Sequence, residues 1–203
     1  MRRGIMAALM AALMAVGMSL GMASGAAAEN AAPAPADLKE ARELAQRFFK
    51  SLKTELQTAI AEGGPVHAIE VCRTVAPGIA GELSTDSGWA VGRTALKVRN
   101  PRNAPSVRER AVLMDFLGQV EAGADMKGME SAAVISEGDR RYLHYMKAIP
   151  TAGVCLTCHG DTLSPDLERA IRASYPADSA TGFEQGDLRG AFTFVKPLSA
   201  AKE

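Results

Sequence analysis

Apolar residues recur at steps of three and four through Leu38, Ala41, Ala45, Phe48, Leu52, Leu56 and Ala59. That spacing predicts one face of a helix, with Asp37 as its N-cap and Gly63-Gly64 as its stop. Pro65, whose missing N–H is tolerated in a first turn, opens a second helix. Ile69, Cys72, Ala76 and Ile79 share the inner face of that helix, and Pro77 is expected to break or kink it. After Ser84 the period shortens. Trp89–Val98 favours a strand, and Asn100-Pro101-Arg102-Asn103-Ala104-Pro105 a stiff loop. Ser106 caps a helix reaching Glu121, with Leu113, Leu117 and Val120 inward and Met114 in the core. Ala132–Ser136 and Arg140–Ile149 are two strands joined by Glu137-Gly138-Asp139, a hairpin signal. A short helix covers Asp166–Ser174. In a last strand, Gly190–Val195, Phe192 and Phe194 lie on one side and Ala191, Thr193 and Val195 on the other. Helices come first and strands later, so the fold class is α+β with an antiparallel sheet, in one domain without repeats.

The first residues follow a different rule. Arg2 and Arg3 precede an apolar run from Ile5 to Met22, which holds five of the ten methionines, and small residues follow from Ala23 to Ala28. Ala26-Ala27-Ala28 fits a signal-peptidase site, so residues 1–28 read as a signal peptide cleaved after Ala28. The alternative is an uncleaved anchor, since the run is near the length of about 18 residues at which a membrane span begins. No cysteine stands at the junction for a lipid. Residues 29–36 (ENAAPAPA) are an extended linker, and 37–199 form the domain. The chain carries 23 basic and 23 acidic groups. It has no basic face for nucleic acid, and loss of Arg2 and Arg3 leaves the exported protein mildly acidic.

Chemistry concentrates at Cys155-Leu156-Thr157-Cys158-His159, the spacing for covalent attachment of a c-type haem. The two thiols are spaced for the two haem vinyl groups, and the adjacent imidazole falls under the iron. Export agrees with this, because c-type haems are attached outside the cytoplasm. A redox dithiol belongs near a βαβ pattern, which is absent here. A zinc set of Cys72, Cys155, Cys158 and His159 has a legal composition but asks sequence neighbours to converge on one ion. A Cys155–Cys158 disulfide closes too small a loop to stabilise much. A second axial ligand has several candidates: Cys72, His67, His144, Met114, Met126, Met129 and Met146. Cys72 stands out as the odd cysteine of an exported chain. His144 reads first as a hydrogen-bonded histidine of the sheet, and His67 as a surface residue rather than a ligand.

Several ordered motifs also resemble one haem-binding family, formerly of unknown function and typified by a cyanobacterial c-type cytochrome. They are Ala68-Ile69-Glu70-Val71-Cys72-Arg73 with Ala76-Pro77-Gly78-Ile79-Ala80, and Arg93-Thr94 with Lys97 through Pro105. Further on come Cys155 through Gly160, Tyr175-Pro176, Asp178, Ala180-Thr181-Gly182-Phe183, and Gly186 through Ala191. Ala95 departs from the family pattern, which often has serine there. The resemblance implies a PAS-like antiparallel sheet flanked by helices, with one haem c held covalently by Cys155 and Cys158. His159 and Cys72 are then the axial ligands of the iron. Arg93 and Arg99 become candidates for the haem propionates, since guanidinium groups suit carboxylates.

The expectation is therefore a periplasmic mono-haem c-type cytochrome that transfers electrons to a partner protein or senses redox state. With both axial positions filled, it is not an enzyme. The alternative is a sensor in which a small gas, CO or NO, displaces Cys72. No kinase or cyclase segment is recognisable, which favours electron transfer or a stand-alone sensor subunit.

Overall fold

The computed structural model describes residues 32–199. The expected signal peptide and the start of the expected linker lie outside that range. The linker ends early: helix α1 spans Pro35–Ser87, with Ala34 as N-cap, Pro35 in the first turn, and Asp37 inside that turn rather than capping it. Proline supplies the helical φ there without losing a hydrogen bond.

One residue divides α1. Gly64 has φ 75° and ψ −174°, a backbone region that only glycine enters freely. The two arms, 35–63 and 65–87, fold back on each other, and Arg47 meets Asp86 across them at 3.5 Å. Pro77 does not break the second arm, which is a correction to the sequence reading. It and Arg73, the residue whose carbonyl loses its partner, both face solvent, where water can replace the missing bond.

Four strands follow: β1 Ala90–Thr94, β2 Glu130–Glu137, β3 Arg140–Pro150 and β4 Leu188–Leu198. They form one antiparallel sheet in the order β1-β4-β3-β2. The fold is α+β. The β2–β3 turn is Gly138-Asp139, with Gly138 at φ 57°. β1 is shorter than its Trp89–Val98 run suggested because its partner turns away. At Gly190 a Cβ would collide with the Thr94 carbonyl oxygen, and beyond it Val98 bonds Ser179 instead.

Helices cover both faces of the sheet. On one face Ala41, Leu44, Phe48 and Leu83 of α1, with Trp89, pack on Val134, Leu143, Tyr145, Phe192 and Phe194. On the other face Leu113 and Phe116 of α2 (Val107–Glu121), with Met126 and Met129, cover Met146, Ala148 and Ala191. Met114 is 53% exposed rather than core, because the helical phase turns Leu113 and Phe116 inward. Ser106 starts α2 with a reciprocal capping box to Glu109. A third cluster joins Ile69 of α1 to Leu167 and Ile171 of α4 (Pro165–Ser174) and to Tyr175. Among the described residues no helix is long and apolar enough to cross a membrane.

Candidate functional site

The Cys-x-x-Cys-His run forms one tight turn. A 3-10 turn over Gly153–Cys155 continues into the four-residue helix α3, Leu156–His159, so Cys155, Cys158 and His159 occupy about one helical revolution. Gly160 ends it, where a Cβ would stand 2.7 Å from the Leu156 carbonyl oxygen. The segment 180–187 runs alongside and pins both ends. Phe183 N–H donates to His159 O and Gly182 N–H to Gly160 O, each at 3.0 Å, while Thr151 exchanges backbone bonds with Asp187 and Gly186.

His159 is oriented by this neighbour. Its Nδ1 lies 2.7 Å from the Ala180 carbonyl oxygen, which can only accept, so Nδ1 carries the proton and Nε2 keeps its lone pair. Burial pushes the imidazole pKa down to about 2, with Arg189 and Arg99 acting in the same direction, so the ring is neutral. The Phe183 ring meets it edge-on, centroids 6.2 Å apart.

Arg99 ties the turn to the rest of the domain. Its Nη2 donates to Cys158 O at 2.6 Å, to Asp178 Oδ2 at 3.1 Å and to Ala180 O at 3.2 Å. Asp178 in turn accepts from the Ala180 N–H at 2.9 Å. The Arg99 Nε is buried without a partner.

Cys72 departs from its expected burial. It shares the helical phase of Ile69, Ala76 and Leu83, all buried, yet it is itself solvent-exposed. Even so, burial pushes its thiol pKa up, while Arg93 and Arg99 pull it down. Cys72 therefore lies at the surface close to Arg93 and Arg99. Cys158 senses the same surroundings: burial raises its thiol pKa, Arg99 opposes that shift, and Cys72 and Cys155 add to it. The fold thus brings Cys72, Cys155, Cys158, His159, Arg93, Arg99 and Arg189 into one neighbourhood.

The other sequence candidates lie elsewhere. His144 and Met146 point to the α2 face of the sheet, opposite α1, and His144 bonds Arg108 and Thr193. Met126 and Met129 are buried beside Met146, and His67 and Met114 are exposed. The three cysteines are free. Among the described residues no three His, Cys, Asp or Glu side chains converge as metal ligands, which argues against the compact zinc set.

Sequence reasoning overlooked Arg189, Phe183, Asp178 and Ala180. Each stands in a motif that carries the family resemblance. Their roles appear only once the chain is folded, because they act through Arg99 and His159 rather than by a local pattern.

The family model described as Tll0287-like matches residues 23–197. In structure the chain is similar to the cyanobacterial heme-protein Tll0287, with a TM-score of 0.60 and 27% identity. That alignment covers 84% of this chain and 100% of the other. No curated protein sequence matches the chain.

Proposed function

The chain belongs to the Tll0287-like family, and from that membership we propose that it is an exported haem protein, a mono-haem c-type cytochrome of the periplasm. Cys155 and Cys158 would hold the haem covalently, His159 would ligate the iron through Nε2, and Cys72 would supply a second ligand as a thiolate. Bound there, the haem supplies a one-electron ferric/ferrous couple.

The observation that carries this reading is the His159–Ala180 bond of 2.7 Å. A ligating histidine commonly donates its second ring nitrogen to a carbonyl, which fixes the tautomer and strengthens the ligand. The donor set fits haem as well: two thiols and an imidazole sit on one turn, and a third thiol, Cys72, lies near enough to raise the pKa of Cys158. Arg99 and Asp178 hold the His159 acceptor in place, and Phe183 limits rotation of the ring. A thiolate favours ferric iron, so the potential lies below that of a methionine/histidine cytochrome. The role is electron transfer to a partner protein or redox sensing.

A second reading follows from the proposed thiolate itself: protonation would weaken its bond to iron, and displacement of Cys72 by CO or NO would make the protein a gas sensor.

Co-expression with a cytochrome c maturation system tests the main reading. The product should be coloured, and its haem should survive acid–acetone extraction. A colourless chain, or haem that extracts freely, would defeat it. A reductive titration with and without CO separates carrier from gas sensor.

A further inference from the structure

Two arginines of the site have no anion to match them. Arg93 of β1 stacks its guanidinium 5.9 Å above the Phe48 ring, and Arg189 of β4 stacks 5.1 Å above Phe183. The Arg189 hydrogen bond runs to the Lys97 carbonyl at 3.3 Å. Among the described residues neither arginine meets a carboxylate. Elsewhere arginines do so even at the surface, Arg42 on Glu130 and Arg172 on Glu168. A cation drawn out of water without a counter-ion is costly, and such groups are normally paired. Arg99, the third arginine, already has Asp178 and two carbonyls.

Resting on the haem reading above, we propose that Arg93 and Arg189, rather than Arg93 and Arg99, are the carboxylate-binding pair that neutralises the two haem propionates. The number of charges matches: two unpaired guanidinium groups for two carboxylates. Their chemistry matches too, since the planar fork binds a carboxylate in bidentate fashion. Burial lowers the pKa of both arginines, and Arg189 also feels Arg99 and Arg93 as like charges, which a pair of anions would relieve. Phe48 and Phe183 hold the guanidinium planes in place.

The test uses the matured haem protein and the variants Arg93→Gln, Arg189→Gln, Arg93→Lys and Arg189→Lys. Resonance Raman spectra report the propionate bending bands, and potentiometry the midpoint. Both Gln variants should shift a propionate band and lower the potential, because a cation opposing the ferric state is gone. Lys variants should recover the potential but not the band. Arg110→Gln, at an exposed site on α2, should change neither. Unshifted bands in both Gln variants overturn the pair. If those variants fail to mature, unshifted bands in the Lys variants overturn it instead. Wild type lacking a Soret band would overturn the haem reading itself, before any variant is compared.

Discussion

Arg99 and Asp178 meet at 3.1 Å with side chains only 10% and 8% exposed, and the same Arg99 nitrogen reaches the Cys158 carbonyl. One buried ion pair therefore connects the segment that follows β1, the cysteine turn and the loop that orients His159. Breaking such a pair from one side leaves a buried charge unmatched, at a cost of about 3–5 kcal/mol. Arg99→Leu should lower the denaturation midpoint sharply, whereas the double variant Arg99→Leu/Asp178→Leu should recover part of the loss. A double variant no better than the single would contradict a pairwise role.

Gly64 gives a purely conformational prediction. A Cβ there would touch nothing within 4 Å, so only the backbone geometry opposes alanine. Gly64→Ala should cost about 1–3 kcal/mol in urea denaturation. Gly78→Ala, in the helical second arm and equally open, should stabilise by about 1 kcal/mol. Equal effects at the two glycines would mean that the fold-back is not imposed at Gly64.

Acidification should act through His144. Burial holds its pKa below 6.5, and of its two charged neighbours Glu109 opposes that shift and Arg108 adds to it. The unfolded chain takes up this proton near its ordinary value, while the folded chain does so only at lower pH. Stability is therefore present above about pH 6.5 and drains away as pH falls through that window. In the haem-loaded protein, His144→Gln should flatten the dependence of unfolding free energy on pH between 7.5 and 5.5. An unchanged slope would place the titration elsewhere.

At Cys72 the readout is spectroscopic. Thiolate ligation predicts low-spin ferric signals in electron paramagnetic resonance that disappear in Cys72→Ser while the covalent haem remains. Identical spectra would move the ligand to another residue.

Elements with local physics were legible in the sequence. The Ser106 cap and the Gly138 hairpin are written in a few adjacent residues and both formed as read, while the partnership of Ser106 with Glu109 in a capping box went unread. The 3.6 period also located the inner face of α1. What periodicity could not reveal is what that face meets, so Cys72 was placed on the buried side of its helix, whereas it is exposed. Arg189 was invisible for a related reason. Its meaning depends on Arg93 and Phe183, and that proximity is created by the pairing of β1 with β4 and by the loop before it.

The fold-back at Gly64 has a mechanical side. It brings Cys72, near the start of the domain, beside a turn near its end. A bond spanning Cys72 and that turn closes a loop of roughly 85 residues, and a tether of that length restrains the unfolded ensemble by about 4–5 kcal/mol on the chain-entropy view. A prosthetic group bonded at both places, as proposed, would serve as a staple through the whole domain. Release of a single sulfur would be felt as slack in the helical hairpin that covers the sheet, turning a change of ligation into a change of shape.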